Sequence, residues 1–442
     1  MGEPRPGYAR YVLGVLVLGY LLNSLDRSIL GILLEPIRVE FGLRDTQLGL
    51  LGGLAFALFY SVFGLPLGRW ADRSSRKNVL AAAILVWSLM TALCGMAVGF
   101  ATLVLARIGT AIGESGGSPP SHSLIADYFP PERRATAFAI FALGAPAGAT
   151  LGGFLGGLGN ELFGWRTTFV LAGLPGLLLA PLVFLTITEP RVKAGVASAL
   201  AHTEQAVAPL SRVASFLWKR RSFRHLCLAC ALHSVAMYSA ATFNASYLIR
   251  SHGWGTADIG KLLGLIGVLG VIGTFAGGYF SDRLSRERGD DRWYMWVPAI
   301  SMGVLVPMQL IAYLSTDTTT LVWAFALTGL AGTVFFGPSF ATTQALAAPR
   351  MRATAASVLI FVKTMIGMGL GPFLVGFMSD SLAPAAGEHS LRYALLILAG
   401  FDGWAAVHFV LGAHHLRGDL EVVERKGIEP STFALRTRRS PN

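Results

Sequence analysis

Four ionisable residues lie inside long apolar runs: Asp26 and Arg27 in the first run, Arg107 and Glu114 in the run that begins near Ala101. A charge at the centre of a bilayer costs on the order of 3 kcal/mol even on insertion scales, so each is a candidate for function. Arg107 and Glu114 are two helical turns apart and share one face, with Thr110, Ser118 and Ser121 on or near it. At about 1.5 Å per residue, Arg107 falls level with Asp26 and Arg27, and Glu114 lies about two turns closer to the next polar loop. Proton exchange is the chemistry open to such a set. Burial disfavours a carboxylate and a guanidinium favours it, so a change of partner between two conformations binds and releases a proton. The same residues also fit a fixed ion-pair lattice joining two helices. Buried pairs are weak devices for stability, which tips the reading towards proton coupling and substrate handling.

Polar residues in later apolar runs are sparser. Lys363 would offer a cationic point to an anionic headgroup, or would snorkel to the membrane surface. Together with Ser118, His233, Tyr238 and Asn244 it forms a second tier of candidates for lining a substrate cavity. Histidines in such positions, His233 and His408 here, are more often satisfied polar groups than switches.

The elements that position these residues follow from composition. Of 442 residues, 53% are hydrophobic and 14% charged, against about 25% charged in soluble domains. Apolar stretches long enough to cross a bilayer, about 20 residues each, recur along the chain. Twelve are expected, near 11–34, 47–68, 78–98, 101–125, 134–158, 166–187, 223–250, 256–280, 294–314, 319–345, 353–378 and 391–414. This predicts an all-α membrane protein with twelve transmembrane helices in two pseudo-symmetric six-helix bundles. The expected bundles are 1–188 and 223–415, joined by a cytoplasmic linker at 189–222 and followed by a disordered cytoplasmic tail at 416–442.

The net charge of +11 does not point to nucleic acid, because the basic residues sit in short loops between apolar runs. Arg69, Arg73, Arg76 and Lys77 follow the second run, Arg133 and Arg134 the fourth, and Arg283, Arg286, Arg288 and Arg292 the eighth; the alternate loops are poor in them. The positive-inside rule then places both termini in the cytoplasm, in the plasma (inner) membrane of a multi-pass protein whose first helix is retained. Cys227 and Cys230 form a CxxC with no second pair or histidine cluster to complete a metal site, and with Cys94 they read as small buried residues. Glycine-rich runs such as Gly152-Gly153 precede no Gly-Lys-Ser/Thr, and neither a catalytic constellation nor a cofactor motif is present, so neither ATP binding nor an enzyme is expected.

An internal repeat supports the two halves. Gly68, Arg69, Asp72, Arg73 and Arg76 follow the second run, and Gly278, Asp282, Arg283 and Arg286 stand at the same point after the eighth. Two related halves are a common build of secondary transporters. These segments resemble the loop signature of the major facilitator superfamily. Two further patterns of that family occur in order: Leu103, Arg107, Gly109, Gly113 and Glu114 in the fourth run, then Gly144, Pro146 and Gly148 followed by Gly152-Gly153 in the fifth. Ser75 departs from the signature, which often has glycine there, and the second copy lacks the closing basic pair. Asn23 to Arg27, Gly113 to Ser115 and Ile125 to Asp127 are similar to the Spinster branch, which includes exporters of sphingolipid-type and lysophospholipid cargo.

The resemblance implies a secondary active transporter that works by alternating access and moves an amphiphilic or lipid-like small molecule, to which the buried carboxylates and arginines add protons as the expected coupling ion. An uncoupled facilitator and a non-transporting receptor on the same scaffold stay open beside it. Gly68, Arg69, Asp72 and Arg76 would form a charge latch that stabilises one arrangement, or would only hold the loop inside. Gly144, Pro146 and Gly148 are expected to let the fifth helix bend and pack closely. The expected partners are the substrate, protons and membrane lipid, with the chain acting as a monomer and without metal or cofactor.

Overall fold

The computed structural model describes residues 6–190, 210–348 and 351–425. Among them every regular element is helical. The first span is Pro6–Phe41. The second joins Asp45–Gly49, a π turn at Leu50–Leu54 and Ala55–Arg73, and the third is Arg76–Cys94. The fourth comprises Phe100–Ser115 and Ser118–Tyr128. Pro131–Ala142 and Gly144–Thr186 hold the fifth and sixth, which are joined at Gly164. Arg221–His252, Thr256–Arg288 and Trp293–Leu314 are the seventh to ninth. The tenth comprises Thr318–Gly332 and Phe336–Ala345. The eleventh runs from Arg352–Val362 through a π segment, Lys363–Leu370, into Gly371–Ala386, and the twelfth is Ser390–Arg425.

Nine of the described stretches are long and apolar enough to cross a membrane. Two of these, 136–186 and 354–423, each carry a pair of spans without a gap, and the broken fourth span falls outside the nine. The twelve-helix architecture is the one the apolar runs lead to.

Proline explains where the helices break. Pro119 and Pro120 have no N–H to offer the carbonyls of Ser115 and Gly116, and the fourth span is interrupted there. Pro146 leaves the carbonyl of Ala142 without its helical donor, and the fifth span restarts at Gly144. The expected bend is therefore a break, set one turn before the proline. Pro372 likewise follows the π segment at Lys363–Leu370. Gly164, at φ 76°, makes the turn between the fifth and sixth spans in a conformation that side chains with a Cβ rarely adopt.

Close approach is the role of glycine between the first and fifth spans. A Cβ on Gly148 would sit 2.1 Å from the carbonyl oxygen of Leu21, and one on Gly144 would sit 2.9 Å from that of Val17. The absence of side chains here lets two backbones touch, as small residues do in membrane bundles.

Two compact units emerge: Met1–Gln205 with Ala241–Gly267, and Ala206–Ala240 with Val268–Asn442. They differ from the expected six-helix halves because the end of the seventh span and the start of the eighth pack within the first unit. Gly31 abuts the carbonyl of Ala241, Gly157 abuts that of Thr256, and Arg250 is ion-paired to Glu35 and Asp45 at 2.6 and 2.7 Å. The core of the first unit centres on Leu16, Ile84, Trp87 and Leu124, that of the second on Phe223, Met302, Phe335 and Phe409.

Two expectations at the chain's polar stretches are corrected. Residues 416–425, expected in the tail, continue the last helix, because Leu416, Leu420 and Val423 recur at helical spacing and are buried. Within the expected linker, Leu210–Trp218 is a helix whose Val213 and Leu217 enter the second unit's core. The rest of the linker, 191–209, and of the tail, 426–442, lies outside the described residues.

Candidate functional site

The first unit brings the four leading candidates into one electrostatic cluster. Arg27 donates from Nε to Glu114 Oε2 at 2.5 Å; the Glu114 side chain is fully buried and that of Arg27 is 32% exposed. The first and fourth spans are thus tied by a charge-assisted bond across the two-turn offset that the sequence implies. Asp26 accepts a hydrogen bond at Oδ2 from Thr91 Oγ1 at 3.1 Å, on the third span. Its Coulombic neighbours include Glu114, Arg107 and Arg27, so the four groups sense one another without Asp26 and Glu114 sharing a bond. Arg107 is buried, with its guanidinium 5.1 Å from the ring centre of Phe56. The Arg27 guanidinium lies 5.0 Å from the same ring and 4.7 Å from Tyr60.

Polar capacity in this cluster is left over. Among the described residues, Asp26 Oδ1, Glu114 Oε1 and two Arg107 nitrogens, Nε and one terminal amine, have no hydrogen-bond partner. Buried polar atoms are normally satisfied, because each one left unmade costs about 1–3 kcal/mol. Ser118 and Ser121 line a small pocket close by with Tyr20, Asn23 and Trp87, and Trp87 Nε1 is likewise unpartnered among the described residues.

Thr91, Phe56 and Tyr60 are site residues that the sequence reading does not single out. They occupy apolar spans where threonine and aromatics are ordinary packing residues; only Ser88 and Thr91, one turn apart on the third span, mark a polar face.

The loop after the second span contributes a different cluster. Arg76, fully buried, pairs with Asp127 at 2.7 Å and Glu189 at 2.6 Å and donates to Ser123 Oγ at 2.8 Å. Arg69 is exposed and Gly68 lies in ordinary contact with Pro119. Asp72 falls within the helix, and its side chain lies outside the described set. The partners of Arg76 therefore come from the end of the fourth span and from Glu189, the first residue of the expected linker.

In the second unit, Lys363 is buried at the start of the π segment, its ammonium 3.8 Å from the ring centre of Phe336 and 4.8 Å from that of Phe335. His233 is buried against Asp402. Tyr238 is half-buried in the second unit and Asn244 is buried in the first.

Among the described residues, apolar helical spans enclosing a buried cluster of opposed charges mark a multi-pass integral membrane protein. The chain belongs to the Major Facilitator Superfamily, whose profile matches residues 16–372. It is 35% identical to an MFS-type efflux pump of Mycolicibacterium smegmatis over 94% of this chain and 95% of that protein. With the sphingosine-1-phosphate transporter SPNS2 of Danio rerio it shares 28% identity over 87% of this chain and 80% of the other. Among solved structures it resembles a bacterial homologue of the human lysosomal transporter Spinster in an inward-facing, unoccupied conformation. That match has a TM-score of 0.79 at 29% identity and covers 99% of this chain and 100% of that one. The chain is thus Spinster-like, and its relatives are transporters of small molecules.

Proposed function

We propose that this protein is a proton-coupled secondary transporter that moves an amphiphilic, lipid-like small molecule by alternating access. One observation carries the coupling: Glu114 is fully buried with one oxygen held by Arg27 and the other unpartnered among the described residues, beside an Asp26 with the same asymmetry. Each carboxylate keeps an oxygen that can take a proton, and Arg27 and Arg107 are both among its charged neighbours. In the cycle we envisage, Arg27 holds Glu114 ionised in one state and releases it to protonation in the other, with Arg107 taking part in the exchange.

The kinship to a transporter named for sphingosine-1-phosphate and to an efflux pump supports an amphiphilic cargo. Basic loops on alternate connections support cytoplasmic termini in the plasma membrane. Both halves lie in one chain, so a monomer suffices. Ser118, Tyr238, Asn244 and Lys363 are proposed to meet the substrate, and Arg76 with Gly68, Arg69 and Asp72 to act as the latch.

The test is uptake of a fluorescent lysophospholipid by proteoliposomes holding the purified protein, with and without an imposed pH gradient. Gradient-driven accumulation above equilibrium is expected. Equilibration at the same rate in both conditions would identify an uncoupled facilitator instead.

A further inference from the structure

His233 sits on the seventh span with both ring nitrogens facing acceptors. Nδ1 lies 2.6 Å from Asp402 Oδ1 on the twelfth span, and Nε2 lies 2.7 Å from the carbonyl oxygen of Gly332 on the tenth. Gln309, on the ninth, donates from Nε2 to the other Asp402 oxygen at 2.7 Å. The histidine is 1% exposed and the aspartate 0%. A neutral imidazole has one donor and one acceptor nitrogen, so it cannot serve two acceptors. Either the ring is an imidazolium beside a carboxylate, or Asp402 is protonated and donates to Nδ1 while Nε2–H donates to the carbonyl. In both cases the pair holds one proton more than a neutral histidine and a carboxylate would.

We propose that His233, Asp402 and the Gly332 carbonyl form a second proton-binding site, in the second unit, that unloads when the break in the tenth span rearranges. The geometry supplies the coupling. Gly332 is the last residue of Thr318–Gly332, and the helix resumes only at Phe336. Pro338 has no N–H for the carbonyl of Val334, so the interruption is built into the sequence. The carbonyl that receives Nε2–H belongs to this break, and Thr333 anchors it by donating to the Gly270 carbonyl at 2.6 Å. A shift of the break removes one of the ring's two acceptors. The remaining arrangement suits a neutral histidine, and the proton leaves.

Phe335 packs edge-on against the His233 ring, at 4.5 Å between centres. Lys363, on the eleventh span, lies over that same phenylalanine, its ammonium 4.8 Å from the ring centre. Cys230, one turn away on the seventh span, bonds Ser339. His408, on the twelfth, pairs with His225. Asp26 and Glu114 belong to the other unit.

The test is nitrogen-15 NMR of the full chain, histidine-labelled and in nanodiscs, with the His233 ring assigned by its loss in His233→Gln. Should that variant fail to insert, Gln309→Leu keeps the ring and shifts only the signal of the ring bonded to Asp402. At low pH the pair is expected to hold its extra proton, on Nδ1 or on the Asp402 carboxyl as read from the carboxyl carbon-13 signal, and to release it reversibly as the pH is raised. Asp402→Asn is expected to give a neutral ring at the lower pH with helicity unchanged. A neutral ring beside an ionised Asp402 at the lower pH, or a pair that keeps its extra proton throughout, would overturn the proposal, the second result marking a fixed pair. Repeating the titration in Glu114→Gln separates the two sites: the His233 signal should be unchanged even where that variant abolishes pH-driven transport.

Discussion

Arg76 and Arg69 stand in the same loop signature, yet their surroundings set them apart. Arg76 is fully buried between Glu189, itself buried, and Asp127, whereas Arg69 is exposed. Removing one partner of a buried ion pair leaves the other charge desolvated and costs about 3–5 kcal/mol. Arg76→Ala should therefore lower the thermal unfolding midpoint sharply, and Arg69→Ala should change stability by no more than about 0.5 kcal/mol. Scanning fluorimetry of both variants in one detergent checks this, and equal shifts would contradict it. The sequence made the buried charges Asp26, Arg27, Arg107 and Glu114 legible because a charge in an apolar run stands out against its neighbours. It left Glu189 unread, because the partner of Arg76 lies 113 residues away and looks like the first residue of a polar linker.

At the scale of the helices, close packing between the first and fifth spans rests on Gly148. A Cβ there would meet the Leu21 carbonyl oxygen at 2.1 Å, which is backbone and cannot swing aside. Gly148→Ala should force these spans apart and lower thermal stability by several degrees, or roughly 1–3 kcal/mol by the usual penalty of overpacking. Gly64→Ala is the control: nothing lies within 4 Å of its Cβ position, and alanine in a helix interior gains about 0.5–1 kcal/mol over glycine. The apolar runs revealed the spans, and Pro119, Pro120 and Pro146 the weak points of the fourth and fifth. Two features lay beyond that signal. The π turns at Leu50–Leu54 and Lys363–Leu370 share the composition of α-helix, and the extension of the last helix to Arg425 depends on three apolar side chains finding a core that sequence alone does not locate.

For the molecule as a whole, orientation rests on the distribution of basic residues. The three native cysteines are buried, so introduced ones can be read against a low background. In right-side-out cells, Thr316→Cys should react with a membrane-impermeant thiol reagent, and Arg286→Cys should be protected until the membrane is permeabilised. The reverse pattern would invert the topology. The two-half plan was legible in the repeated Gly-x-x-x-Asp-Arg loops, but the grouping of Ala241–Gly267 with the first unit was not, because it arises from backbone contacts and from Arg250 reaching Glu35 and Asp45.

The central claim is that a carboxylate in the first unit changes protonation during transport. Glutamine at position 114 keeps nearly the size and hydrogen-bonding reach of glutamate but cannot take up the proton, and asparagine at position 26 does the same for aspartate. The decisive measurement is pH-gradient-driven transport in proteoliposomes for Glu114→Gln, Asp26→Asn and the double variant, each checked for intact folding. At least one substitution should abolish the response to the gradient while leaving exchange at equal pH, and the double variant should show none. Wild-type rates of gradient-driven transport in all three would reduce Asp26, Arg27, Arg107 and Glu114 to a structural ion-pair lattice.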